Sequence, residues 1–253
     1  MFTRIKTEQE LDCMRQAGGI LASVHRKLTA SLEDGITTQE LADVASKELK
    51  SLGGVPAFLN YGPASNPFPD VVCISVNDEV VHGVPSKDKI INEGDIVSFD
   101  LGVSVNGMIT DAAITVPCGV ATPQHVEFLA HTKKSLDAGL KVLKHGCKVG
   151  DIAFAVQKSL EKHNYGIVRD LVGHGVGHYV HEDPNIPNYG RKGSGPQLVA
   201  GMTVAIEPMA TLGNHAIHTD DDGWTIKTND GSWAAHFEHT VLITDKGCEI
   251  LTA

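Results

Sequence analysis

The apolar positions follow one period up to about residue 52 and another beyond residue 71. Leu11, Met14, Gly18, Leu21, Val24 and Leu28 recur every three to four residues, which predicts an amphipathic helix to about Ala30. Thr7 with Glu10 forms a capping box at its start. Thr37 and Glu40 repeat the device, and Leu41, Val44, Ala45 and Leu49 make a second buried stripe that Gly53-Gly54 stop. Pro63, Pro67 and Pro69 mark a loop. From 71 to 116, short β-branched runs broken by Asn, Gly and Asp read as strands. Thr122-Pro123 opens a third helix, with Val126, Leu129, Leu136, Leu140 and Leu143 facing inward. Asp151 is read as the cap of a fourth helix to about His163, followed by strands and Gly-rich loops.

Two stretches repeat. Gly35, Glu40-Leu41-Ala42, Lys47 and Leu49 match Gly146, Asp151-Ile152-Ala153, Lys158 and Leu160 at the same spacing. Glu93-Gly94, Val97 and Phe99-Asp100 match Ala200-Gly201, Val204 and Ile206-Glu207. Both matched strands end in a carboxylate. The pattern predicts two related αβ halves, with no linker-like stretch between them, so residues 1–253 are read as one domain.

Composition narrows the class. The 253 residues are 42% hydrophobic and 21% charged, which suits a soluble chain with a large core and excludes disorder. The longest apolar runs, such as Val71-Val72-Cys73-Ile74, are too short to span a bilayer. No apolar signal core follows Met1. Five cysteines without paired spacing point to a reducing cytoplasm. The net charge of −10 disfavours a protein built to coat nucleic acid or an anionic membrane.

The candidate chemistry is a set of acids. Asn106-Gly107 is a strong two-residue hairpin signal. That turn sets Asp111 opposite Gly102, with Asp100 one diagonal step away on the same face. A lone strand acid would be read as solvated at an edge. A same-face pair joined by Glu207, after Met202–Ile206, and Glu238, read as lying within a strand, is different. Buried anions need counter-charge, which divalent cations supply. His174, fixed among Gly173, Gly175 and Gly177, is the fifth candidate. Together these five make no local metal motif.

Gly173-His174-Gly175-Val176-Gly177 with His181-Glu182, Ala205-Ile206-Glu207-Pro208 and Glu238-His239-Thr240, with Asp100 and Asp111 upstream, resemble the methionine aminopeptidases. So does Cys73-Ile74-Ser75-Val76-Asn77 with His82-Gly83-Val84-Pro85. The likeness runs from about Ile5 to the C-terminus. It implies an α+β pita-bread fold, two pseudo-symmetric halves with antiparallel sheet covered by helices, in a compact bacterial-like type 1 enzyme. It implies removal of N-terminal methionine before a small second residue, so Phe2 should protect Met1. Asp111 and Glu238 would bridge two divalent ions (Mn, Fe, Co or Zn), with His174 and Glu207 completing one and Asp100 the other. Glu207 would be the general base. His181 would meet the carbonyl oxyanion, and His82 the scissile amide or leaving amine. Cys73, Phe68 and Trp224, the last in Asp222-Gly223-Trp224-Thr225, would line the side-chain pocket.

The implied partners are peptide and nascent-chain N-termini, with the ribosome a candidate, for a cytoplasmic monomer. His236 stands where the family usually has Gln. It is read as a polar wall residue, the alternative being a pH-sensitive group beside the cleft. Rival readings are a proline-specific aminopeptidase or prolidase, a metal-free creatine-hydrolysing relative, and a non-catalytic binding protein of this fold.

Overall fold

The computed structural model describes residues 3–253, so the expectation for Met1 and Phe2 lies outside the described residues. The first half runs α1 (Glu8–Ser31), α2 (Thr38–Leu52), β1 (Val55–Pro56), β2 (Cys73–Val76), β3 (Glu79–Val81), β4 (Ile96–Val105) and β5 (Met108–Pro117). The second runs α3 (Pro123–Val142), α4 (Val149–Glu161), β6 (Gly166–Ile167), β7 (Val172–Gly175), β8 (Glu182–Pro187) and β9 (Thr203–Ile206). It continues with β10 (Met209–Thr211), β11 (Ile217–Thr219), β12 (Ile226–Thr228), β13 (Ala234–His236), β14 (His239–Ile243) and β15 (Cys248–Ile250).

Both expected capping boxes form: Thr7 and Thr37 each exchange hydrogen bonds with the glutamate three residues on. The α4 start differs. Asp151 lies one turn inside it and accepts from the Lys148 and Gly193 amides (both 2.9 Å). It therefore caps from within the first turn, where a carboxylate also suits the helix dipole. Val126 is 53% exposed. The inner stripe of α3 is Phe128, Leu129, Thr132, Leu136 and Leu140, a phase that turns Val126 outward.

In the first sheet β4 is central, with β5 on one edge and β2 and β1 on the other. Val97, Phe99, Leu101 and Val103 pack with Leu21, Val24, Leu41 and Leu49 of α1 and α2. Strand alternation therefore turns Asp100 to the opposite face. The second sheet has the order β15-β14-β9-β7-β8. Its Val204, Ile206 and Val241 pack with Phe128, Leu136, Ile152 and Val156 of α3 and α4.

The two halves repeat in detail. Gly35 and Gly146 have φ of 87° and 86°. Their amides donate to the Ile91 and Leu198 carbonyls, both at 2.8 Å. Isolated bridges Thr37–Ile90 and Lys148–Gln197 occupy corresponding places. Two threonines stitch the halves together. The Thr240 hydroxyl accepts from the Asp111 amide (2.8 Å) and donates to its carbonyl (2.7 Å). Thr115 does the same to His236, at 2.9 and 2.7 Å.

Glu238 does not lie within a strand. The chain leaves β13, which pairs with β10, before joining β14, which pairs with β9. Glu207 occupies the matching break between β9 and β10. Both glutamates thus project from interruptions in one antiparallel ribbon. Among the described residues, no helix is long and apolar enough to cross a membrane.

Candidate metal and substrate site

The hairpin register places Asp111 opposite Gly102, and Asp100 opposite Ala113 on one side and Cys73 on the other. Asp100, Asp111, His174 and Glu238 are at most 6% exposed. Ligand atoms of Asp111, His174 and Glu238 lie within 4.8 Å of one another. His174 Nε2 is 3.4 Å from Glu207 Oε1 and 4.0 Å from Glu238 Oε1. All five expected ligands line one cavity, together with Cys73, Phe68, His82, His181 and Trp224.

The donor set fits divalent cations. Asp100 Oδ1, Asp111 Oδ1 and Glu238 Oε1 are buried without hydrogen-bond partners, an arrangement that is costly unless a cation meets them. His174 Nδ1 lies 3.0 Å from the Gly175 carbonyl, which accepts its proton. The Nε2 lone pair is thereby left facing the carboxylates. Burial, and then neighbouring carboxylates, push Asp100 and Glu238 well above the carboxylate range. Glu207 moves the same way, and burial lifts Asp111 to about 7. Four acids with one imidazole suit oxygen-preferring divalent ions such as Mn²⁺, and Fe²⁺, Co²⁺ or Zn²⁺ also fit.

His82 reaches the cavity at the end of β3 with φ of 58°, a strained conformation for a non-glycine residue. Gly83 follows because a Cβ there would strike the Ile74 carbonyl. Burial lowers His82 to about 4 and also lowers His181, so both imidazoles are neutral donors or acceptors at neutral pH. His181 sits at the mouth, its ring centroid 4.4 Å from that of His174.

The apolar wall comes from Phe58, Phe68, Cys73 and Val180, with Trp224 edge-on to Phe68 at 5.3 Å. Asp222 holds Trp224 by accepting from the Trp224 and Thr225 amides, both 2.8 Å. Trp224 Nε1 donates to the Asn66 carbonyl at 3.0 Å. Phe58 and Tyr61 also line the cavity and were missed in sequence. Both precede Pro63 in the loop, whose turn residues hide which side chains face inward.

His236 is 2% exposed, and neither ring nitrogen has a hydrogen-bond partner. Its Nε2 lies 3.5 Å from Glu207 and 3.8 Å from Glu238. Burial lowers it to about 3.

The pattern of metallopeptidase family M24 matches residues 12–245. Methionine aminopeptidase of Clostridium acetobutylicum is 43% identical over 248 residues, 98% of each chain. The crystal structure of methionine aminopeptidase from Thermotoga maritima superimposes with a TM-score of 0.96 at 42% identity, over 99% of both chains. Prolidase from Pyrococcus furiosus, at TM-score 0.78 and 24% identity over 98% of this chain and 65% of its own, shares the pita-bread fold. Fold and site thus define a metal-dependent hydrolase, and the chain belongs to metallopeptidase family M24. Within that family it stands with the methionine aminopeptidases, and the proline-specific reading is not favoured.

Proposed function

We infer that the protein removes N-terminal methionine from peptides and nascent chains whose second residue is small. The observation that carries this reading is one cavity, with an apolar wall, lined by buried Asp100, Asp111 and Glu238, by Glu207 and by His174, whose Nε2 lone pair faces the carboxylates. Asp111 and Glu238 would be shared between two divalent cations, His174 and Glu207 would serve one, and Asp100 the other. Four negative charges then balance four positive. Bound there, the cations supply a more acidic water and a polarised scissile carbonyl.

The remaining steps belong to this chain's own groups. Glu207 takes up the proton released by the attacking water. His181 donates to the carbonyl oxygen as charge develops on it, and His82 serves the scissile amide. The methionine side chain enters the wall of Phe58, Phe68, Cys73 and Trp224, where a thioether finds aromatic and thiol contacts. The free α-amine meets the Asp100 end of the cluster, which restricts cleavage to chain ends. Residues 1–253 act as one catalytic unit, and every proposed ligand comes from a single chain, so a monomer suffices. Five free thiols suit a reducing cytoplasm. The ribosome is the candidate docking partner, as the source of new N-termini.

The test compares hydrolysis of Met-Ala-Ser, Ala-Pro and X-Pro peptides with and without a chelator. Chelator-sensitive release of methionine from Met-Ala-Ser, with the proline peptides left intact, is expected. Preferential cleavage beside proline would overturn the assignment.

A further inference from the structure

Within the cleft, one contact joins the two halves directly at the substrate mouth. The Tyr61 hydroxyl lies 2.6 Å from His181 Nδ1. We propose that Tyr61 is a positioning residue, holding His181 as the tautomer whose Nε2–H points toward the substrate carbonyl. The proposal rests on the reading of His181 as the oxyanion donor.

A neutral imidazole carries its proton on either nitrogen, and the group bound to one nitrogen decides the state of the other. If Nδ1 held the proton, Nε2 would present a lone pair to a carbonyl oxygen, and the two would repel. A phenol hydroxyl donating to Nδ1 leaves the proton on Nε2, where it can meet developing negative charge. The 2.6 Å separation suits a short O–H donor. Burial and the nearby Asp111 charge both raise the Tyr61 pKa, which keeps its proton in place.

The backbone fixes both partners. Tyr61 donates its amide to the Phe58 carbonyl (2.9 Å) and accepts from the Phe68 amide (2.8 Å), while Asn60 donates to the Phe68 carbonyl (2.9 Å). Gly62 then passes so close to the Trp224 ring that a Cβ would clash. Across the cleft, His181 precedes Glu182. The Glu182 carboxylate accepts from the His178 and Tyr179 amides at 2.7 and 3.1 Å and from Lys6 Nζ at 3.2 Å. The Tyr61 and His181 rings are tilted at 56° with centroids 5.4 Å apart, and both residues line the cavity that holds the carboxylates.

Tyr61→Phe keeps the ring and removes only the hydroxyl. A neutral hydrogen bond contributes about 1 kcal/mol net, so kcat on Met-Ala-Ser should fall roughly 5- to 10-fold, with KM within about twofold. Imidazole ¹⁵N NMR of the cation-loaded protein supplies a readout that a merely structural role would not move. Wild type should show His181 protonated at Nε2, and Tyr61→Phe a mixture of tautomers. In a His181→Ala background, Tyr61→Phe should cost nothing further. If His181→Ala alone leaves kcat unchanged, the oxyanion reading itself fails. If His181→Ala is impaired while Tyr61→Phe keeps wild-type kcat, or lowers it with an unchanged His181 spectrum, the positioning role is overturned.

Discussion

Replacing one carboxylate in the cation-stripped protein should stabilise it, by an amount that grows with pH. Asp111 is 3% exposed, and burial raises it from 3.8 to about 7. Between those values the folded chain holds a proton that the unfolded chain has lost. Its contribution to stability is therefore neutral below about pH 4, falls as pH rises, and reaches its full cost above about pH 7. At about 1.4 kcal/mol per pH unit, the cost grows by roughly 3 kcal/mol between about pH 5 and pH 8. For a chain of this size that is roughly 5–10 °C in Tm.

Asp111→Asn removes this term and also takes the Asp111 charge away from Asp100, Glu207 and Glu238, whose pKa values it raises, so the relief acts in the same direction. Buried imidazoles work in the opposite sense. His25 and His236 are lowered to about 3 and His239 to about 4, so their contribution is lost as pH falls below about 6.5. That background is common to both proteins and cancels in the comparison. Calorimetric melts in chelator should show Asp111→Asn melting above wild type, by a margin that widens by roughly 5–10 °C from pH 5 to pH 8. Excess Mn²⁺ should reverse the order at pH 8, since only wild type keeps the full ligand set. A margin independent of pH, or a wild-type Tm indifferent to Mn²⁺, would refute the crowded-carboxylate account.

Glu207→Gln keeps a ligand oxygen but removes the base. Its kcat should fall on the order of 10²-fold or more, and near-wild-type turnover would sink the role. Lys6→Met strands Glu182, because the pair is buried at 0% and 3% side-chain exposure. Losing one partner of such a pair costs about 3–5 kcal/mol, roughly 6–20 °C in Tm, and Lys6→Met/Glu182→Gln should recover part of it. An unchanged melt in the single variant would show the pair to be energetically idle. Burial holds His236 near 3, so kcat/KM against pH should superimpose for wild type and His236→Gln above about pH 5. A steeper acid fall in wild type would show that His236 carries charge.

What could be read from sequence was local or periodic. Thr7 and Thr37 announced their helices because a capping box needs only four residues. Asn106-Gly107 fixed the register that puts Asp100 and Asp111 on one face, because a two-residue turn leaves no slack. The repeated glycine and carboxylate positions revealed the two halves, now seen in matching bridges. What escaped depends on partners distant in sequence. Phe237 and Glu238 read as strand because the largely β-branched run Thr240–Ile243 follows them, yet the chain changes pairing partner there. Val126 obeys helical spacing but lies outside the phase that α4 imposes on α3. Lys6 looks like an ordinary surface lysine until Glu182, 176 residues away, closes over it. Tyr61 was hidden by its loop, and its partner is 120 residues distant.

A strict requirement for divalent cations is what this carboxylate-rich site implies. Its most direct test is the release of free methionine from Met-Ala-Ser by metal-stripped protein during titration with Mn²⁺, beside Asp111→Ala under the same titration. No release is expected from either protein before Mn²⁺ is added, with a saturable rise in wild type and none in the variant. Undiminished release by the stripped wild-type protein, or full recovery by Asp111→Ala, would contradict it.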